Sequence, residues 1–298
     1  MTIEVPAEQR SRGETLRAAV AERRALLVPG AADALAARII EDLGFEAVYL
    51  TGAGLANAAF GVPDLGLVTL TEVVNTVAAI ADVCALPLIV DADTGFGNPL
   101  NVIRAVRLLE RAGANALQIE DQVFPKRCGH FDGKAVIPPG EMVMKIKAAV
   151  DSRLSPDLLI IARTDARAVE GLAGAIERAQ AYVEAGADVT FVEAPVTVEE
   201  MRTIPAAIPA PQVANMVVGG RTPLLPVSTL REMGFSLVIY ANAALQASIH
   251  AMRDVLGALR EDGSVARVSN RLASFDLRQQ VVKKAAWDQL DTKYRYDP

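Results

Sequence analysis

Eight short apolar runs recur along the chain: Ala25–Val28, Ala47–Leu50, Leu88–Val90, Ala116–Ile119, Leu158–Ala162, Val189–Val192, Gln212–Ala214 and Leu237–Tyr240. They are continuous rather than alternating, as strands covered on both faces are. Between them the apolar spacing becomes helical, over Asp33–Leu43, Leu70–Val83, Pro99–Ala112, Glu141–Ser152 and Ala173–Ala185. Two shorter helices are predicted near Val198–Ile204 and Val227–Met233, and a longer one from about Ala243 to Arg260. Gly44, Gly113, Gly186 and Gly234 each stand between a helix and the next strand, where glycine ends a helix most cheaply. Eight strand–helix units predict an α/β fold of the (β/α)₈ barrel type over residues 1–260. A doubly wound open sheet competes less well, because no glycine-rich dinucleotide turn follows the first strand. Residues 261–298 are charged and helical, and read as an extension of the same domain that packs on the barrel or on a neighbouring subunit.

Bulk properties narrow the class. A length of 298 residues suits one barrel. A net charge of -6 and a pI near 5.2 argue against a nucleic-acid partner, which calls for a basic surface. No apolar run approaches the ~20 residues of a membrane span. The stretch Met1–Glu22 lacks the apolar centre of a signal peptide, and two well-separated cysteines form no disulfide framework. A cytoplasmic protein is the expectation.

The polar residues fall where a barrel places its active site, at the C-terminal ends of the strands. The third strand runs into Asp91-Ala92-Asp93-Thr94-Gly95-Phe96-Gly97, the fourth ends in Glu120-Asp121-Gln122 and the fifth in Arg163-Thr164-Asp165. The sixth ends in Glu193 and the seventh in Asn215. Asp91, Asp93 and Glu120 are hard oxygen ligands with no imidazole or thiolate among them, a set that favours Mg²⁺ or Mn²⁺ over zinc. The competing reading is a buried ion network with Arg163 and Lys126. Close like charges are costly without a cation, which favours the metal. Arg163 suits a substrate carboxylate, which its guanidinium can grip with two parallel hydrogen bonds.

After the fourth strand comes a long connection, Asp121 to Val136, of the kind that is usually functional. Within it Lys126-Arg127-Cys128-Gly129-His130 sets a thiol beside two cations and an imidazole, neighbours that lower a thiol pKa and make it a usable proton donor or nucleophile. Cys84, in an apolar run, reads as an inert core residue, and His250 as structural.

These residues resemble the isocitrate lyase/PEP mutase superfamily. Lys126-Arg127-Cys128-Gly129-His130 is similar to the Lys-(Lys/Arg)-Cys-Gly-His signature of isocitrate and methylisocitrate lyases, on a loop that closes over substrate. Asp91–Gly97 and Ile119–Gln122 resemble the superfamily's metal segments, and Val62–Gly66, Ala162–Ala166 and Val192–Pro195 extend the likeness over nearly the whole barrel. The resemblance implies a barrel whose eighth helix is exchanged between subunits, in a homotetramer. It implies Mg²⁺ held directly by Asp93 and through water by Asp64, Asp91 and Glu120. Thr51, Gly52 and Ala53 match a turn whose backbone N–H groups bind substrate carboxylate, where methylisocitrate lyases typically read Ser-Gly-Gly. Arg163, Glu193 and Asn215 would contact substrate, with Tyr49, Asp91, Thr222 and Pro223 around them. Cys128 would be the acid, flanked by Lys126 and His130. The implied reaction is retro-aldol cleavage of a 2-hydroxy acid to a 2-oxo acid and an enolate protonated by Cys128, the base being left open.

Within the family, Cys128 argues for carbon–carbon cleavage, since phosphonopyruvate mutases and hydrolases typically lack it. Asn215-Met216-Val217-Val218-Gly219-Gly220-Arg221-Thr222-Pro223 resembles the corresponding segment of 2,3-dimethylmalate and related alkylmalate lyases, with Val218 where those usually carry Glu. Gln246 stands where methylisocitrate lyases offer an arginine to a third carboxylate. Losing that cation disfavours a tricarboxylate. The expectation is therefore an alkylmalate-type dicarboxylate. The alternatives are a methylisocitrate lyase, a carboxyphosphonoenolpyruvate mutase, an oxaloacetate decarboxylase or hydrolase, and a non-catalytic binding protein.

Overall fold

The computed structural model describes residues 11–127, 129 and 133–296. Eight parallel strands form the barrel: β1 (Leu26–Ala31), β2 (Val48–Leu50), β3 (Leu88–Asp91), β4 (Ala116–Glu120), β5 (Leu159–Thr164), β6 (Val189–Val192), β7 (Val213–Asn215) and β8 (Leu237–Tyr240). Their order is β6-β5-β4-β3-β2-β1-β8-β7, and the parallel bridge Thr190–Gln212 joins β6 to β7 to close the ring. Register matters for the site, because Asp91 pairs with Gln118 and Glu120 with Arg163, which brings the polar ends of β3, β4 and β5 side by side.

The helices are α1 (Arg12–Ala21), α2 (Ala34–Asp42), α3 (Gly52–Phe60), α4 (Leu70–Val83), α5 (Pro99–Ala112), α6 (Pro139–Ser152), α7 (Arg167–Glu184), α8 (Val198–Ala207), α9 (Val227–Met233), α10 (Ala243–Asp262), α11 (Phe275–Val281) and α12 (Lys284–Tyr294). The predicted barrel fold and its eight strand–helix units are all present. Two helices come as additions. α1 has a capping box from Ser11 and Glu14 and buries Leu16, Ala19 and Val20 against the inward-facing residues of the strands, so it plugs the N-terminal end of the barrel. α3 is built from small residues (GAGLANAAF), which give no amphipathic period and read as a turn. α7 starts six residues earlier than the periodicity suggests, because Gly171 at φ 82° kinks it and breaks the pattern.

Apolar residues on the outer strand faces pack against the helices, while Tyr49, Ile89, Ile161, Phe191 and Ile239 fill the barrel. α10 departs from this plan. It is 20 residues long, yet only Ala258 along it is buried. α11 and α12 continue beyond it, and Lys283 pairs with Glu41 of α2 at 3.1 Å.

Candidate active site

The C-terminal ends of the strands converge on a cavity of about 50 Å³, lined by Tyr49, Thr51, Ala53, Asp64, Asp91, Lys126, Arg127, Gly129, Arg163, Glu193, Asn215, Val217, Ile239, Ala241 and Asn242. That is room for only one or two waters. Lys126, Arg127 and Gly129 line it from the connection after β4.

Asp91 is held from three sides. Gln118 Nε2 donates to Oδ1 at 3.3 Å and the Asp93 backbone N–H to the same oxygen at 3.2 Å, while the Gly52 N–H reaches Oδ2 at 3.4 Å. The Tyr49 hydroxyl donates to Gln118 Oε1 at 3.1 Å, so this chain of bonds orients Asp91 from inside the barrel. Gly52 begins α3, and a Cβ there would lie 3.0 Å from Asp91 Oδ2 and press that carboxylate out of place. Of the N–H groups expected to bind substrate, that of Gly52 faces Asp91, while that of Thr51 donates to the Ala31 carbonyl at 3.2 Å. Asp93 adopts a left-handed backbone with φ 46°, and its carbonyl accepts from the Glu120 N–H at 2.8 Å, so β4 locks the turn.

Lys126 is almost fully buried and ion-pairs with both Asp64 and Asp93, the latter at 2.8 Å. Burial works against its charge, but Asp93, Glu120, Asp91 and Asp64 outweigh it and keep the ammonium protonated. Burial pushes the Asp93 carboxyl up to about 6 despite Lys126, with Asp91 and Asp64 adding to the rise. Burial likewise drives Glu120 well above the usual carboxylate range, against the pull of Arg163.

Arg163 forms the second half of the site. Asp165 grips it bidentately, at 2.9 Å to Nε and 3.2 Å to Nη2, and Phe191 underlies the guanidinium at 5.3 Å. Nη1 lies 3.3 Å from Glu120 and 3.5 Å from Glu193. Glu193 also accepts from Asn215 Nδ2 at 3.4 Å, which leaves Asn215 Oδ1 buried without a hydrogen-bond partner.

The acidic residues suit a hard divalent cation in chemistry. They are all-oxygen donors, burial raises the Asp93 and Glu120 carboxyls above the usual range, and the buried Glu120 Oε1 has no hydrogen-bond partner. As the side chains stand, no three of them among the described residues converge as a ligand set, because the Lys126 ammonium lies between Asp64 and Asp93. The residues fit a cation once that ammonium withdraws.

Of the residues singled out in the sequence, Tyr49, Thr51, Ala53, Asp64, Asp91, Lys126, Arg163, Glu193 and Asn215 all line the cavity, and Gly52, Asp93 and Glu120 touch residues that do. Thr222 and Pro223 do not line it. Thr222 is buried with its hydroxyl unpartnered in a small adjoining void beside Asn215, and Pro223 is half-buried next to it. Cys128 and His130 lie outside the described residues. Gln246 does not line the cavity, and its Nε2 donates to the Val218 carbonyl at 3.5 Å.

Sequence reasoning missed Gln118, Asn242 and Lys134. Gln118 was findable, since it stands two residues before Glu120 on β4 and so shares its face. Asn242 follows β8 and accepts from the Thr51 hydroxyl at 3.1 Å. Lys134 gave no signal, because its partners are Asp165 and the backbone of Gly129.

Comparison with known proteins follows this geometry. Residues 16–260 match the model of the family described as phosphoenolpyruvate phosphomutase. The chain belongs to that family. The chain is 47% identical over 260 residues to a 2,3-dimethylmalate lyase of Eubacterium barkeri, covering 87% of this chain and 90% of that one. It is 48% identical over 260 residues to a 2-methylisocitrate lyase of Aeropyrum pernix, covering 87% and 83%. In structure it is similar to a 2,3-dimethylmalate lyase described as a PEP mutase/isocitrate lyase superfamily member, with TM-score 0.90, 34% identity and 96% of each chain covered. An oxaloacetate acetylhydrolase bound to 3,3-difluorooxalacetate gives TM-score 0.90 at 35% identity, covering 95% and 97%. The superfamily expected from the sequence is the one found, and this member of it is an enzyme related to carbon–carbon lyases.

Proposed function

We propose that this family member is a Mg²⁺-dependent carbon–carbon lyase that cleaves a 2-hydroxydicarboxylate of the alkylmalate type into a 2-oxo acid and a monocarboxylate. The observation that carries the reading is the pairing, in one cavity, of a charge-deficient carboxylate cluster with an arginine held in place by Asp165. Asp93, Asp91, Asp64 and Glu120 would hold the cation, Mn²⁺ serving as a substitute. When bound it supplies Lewis-acid stabilisation of negative charge developing on the substrate's 2-oxygen.

The protein groups do the rest. Arg163 binds a substrate carboxylate and stabilises enolate charge as a base takes the 2-hydroxyl proton and the C2–C3 bond breaks. Glu193 and Asn215 orient the reacting end, and the Thr51–Ala53 turn offers N–H groups to the other. Lys126 leaves its pairing with Asp93 to make room for substrate. Cys128, on the signature segment with His130, donates the proton that completes the monocarboxylate.

The side of the cavity formed by β7 and β8 supports a dicarboxylate. It presents Asn215, Val217, Ile239, Ala241 and Asn242, with no cation among them, so a third carboxylate there would lie unpaired. An alkyl group fits that wall. The decisive experiment is 2-oxo acid release from malate, 2,3-dimethylmalate, 2-methylisocitrate and oxaloacetate, with Mg²⁺ and with EDTA. Preference for the alkylmalate, lost in EDTA, is the expected result. Preference for 2-methylisocitrate would overturn the dicarboxylate reading, and oxalate or carbon dioxide as product would overturn the lyase reading.

The protein is further read as a cytoplasmic homotetramer in which residues 1–260 form the catalytic barrel and residues 261–298 its helical extension. Among the described residues no helix is long and apolar enough to cross a membrane. Exchange of α10 between subunits is supported by its exposed Ile249, Met252, Leu256 and Leu259, and by an apolar groove of about 380 Å³ between α2 and the start of α10. Light scattering coupled to gel filtration tests the tetramer, and a monomeric protein would refute it.

A further inference from the structure

Lys134 stands at the far end of the connection after β4, and its side chain is only 2% exposed. Its ammonium donates to two acceptors from different parts of the chain, the Gly129 carbonyl and Asp165 Oδ1, the latter at 2.8 Å. Asp165 is the residue that grips Arg163, and it uses the same Oδ1 toward Arg163 Nη2. Gly129 is pressed against the other side of that arginine. A Cβ on it would sit 2.5 Å from Arg163 Nη2 and 2.4 Å from Glu193 Cγ, so the backbone here reaches the site at a distance only glycine allows.

Asp165 is itself fixed from behind. Its N–H donates to Asp121 Oδ1 at 2.9 Å, and Asp121 is fully buried and also accepts from Thr164 and Tyr182 at 2.7 and 2.8 Å. One end of the Lys134 bridge is therefore anchored in the barrel wall and the other in the connection. Lys134 also shares the Asp165 charge with Arg163, which leaves the guanidinium more positive toward the cavity.

We propose that Lys134 is a positioning residue that pins the Gly129 backbone to the Asp165–Arg163 pair and so sets the registry between the signature segment and the arginine. It does not touch the cavity, which separates it from Lys126, Arg127 and Arg163. The inference rests on the lyase reading for its kinetic arm only. Outer-shell partners of this kind are worth about 10- to 100-fold in activity, and the expected signature is a loss in kcat.

The test compares wild type with Lys134→Met and Lys134→Arg in full-length protein. Lys134→Met is expected to lose about 10- to 100-fold in kcat while KM for the preferred acid stays close to the wild-type value. Lys134→Arg, which can still donate to both acceptors, recovers most of it. Independently of turnover, limited trypsin digestion read by mass spectrometry should cut after the exposed Arg127 faster in Lys134→Met, with Lys134→Arg at the wild-type rate. An unchanged kcat, or a loss carried wholly by KM, overturns the proposal. Should the wild type turn over none of the acids, the lyase reading fails and the digestion decides alone, an unaltered cleavage rate overturning the bridge. Should Lys134→Met not fold, Lys134→Gln takes its place under the same criteria.

Discussion

Lys126 and Asp93 sit 2.8 Å apart at the wall of the cavity, an ammonium beside a carboxylate proposed here as a cation ligand. On the proposed function the two roles exclude each other in time, and the lysine moves when a metal binds. Asp93→Asn keeps the left-handed backbone, which asparagine tolerates well, while removing the charge. The expected outcome is a folded protein without Mg²⁺-dependent activity. Isothermal titration with Mg²⁺ checks it, and undiminished binding would remove Asp93 from the ligand set.

The raised Asp93 carboxyl carries a pH signature. Its value of about 6 exceeds the ordinary 3.8, so between those limits the folded protein binds more protons than the unfolded chain. The group's contribution to stability is present at low pH and is lost as pH rises through about 4 to 6. A cation that offsets the buried charge should therefore stabilise more at pH 7.5 than at pH 5. Thermal melts with Mg²⁺ and with EDTA at both values measure this, and an equal gain at the two would count against the assignment.

Gly129→Ala isolates close backbone approach from every other effect, because no left-handed φ is involved at this position. The added methyl must displace Glu193 or Arg163. Misplacement on that scale costs about 100-fold in kcat, with an unchanged melting temperature. Near-normal turnover would mean that the signature backbone does not approach the arginine so closely in the working enzyme.

Cys128→Ser should lower turnover by about 10²- to 10⁴-fold, the range of a lost general acid, with Mg²⁺ affinity intact by titration. Full activity would eliminate the thiol as proton donor.

Asp121 makes a prediction about stability rather than chemistry. Asp121→Ala strips partners from Thr164, the Asp165 N–H, Tyr182 and Arg178 in the barrel wall, and should cost about 3–5 kcal/mol in urea unfolding. Tyr182→Phe removes the hydroxyl that donates to Asp121 and accepts from Arg178, and should cost about 1.5–3 kcal/mol.

The barrel was legible because buried parallel strands write themselves as unbroken apolar runs, and Asp91, Glu120, Arg163 and Glu193 stand out by ending them. Contacts made by backbone were not legible in the same way. Lys134 looks like any loop lysine until Gly129 and Asp165 are seen on either side of it. α3 escaped because GAGLANAAF buries its residues through smallness, leaving no period to detect. α1 looked like a polar leader because only three apolar side chains, Leu16, Ala19 and Val20, turn inward. The ion network that competes with a metal among Asp91, Asp93 and Glu120 is present in part, since Lys126 pairs with Asp93 and Arg163 with Glu120, and Asp64 joins it as a further partner of Lys126.

Charged groups reach the cavity from β3 through β6, while Val217, Ile239 and Ala241 reach it from β7 and β8. Mutation therefore samples the two arcs separately. On the proposed function, a change at Val217 or Ile239 alters which acid fits and leaves Arg163 in place, and a change at Arg163 does the reverse. On that reading the choice of acid and the breaking of its bond are carried by different strands, so substrate preference can be altered from β7 and β8 alone.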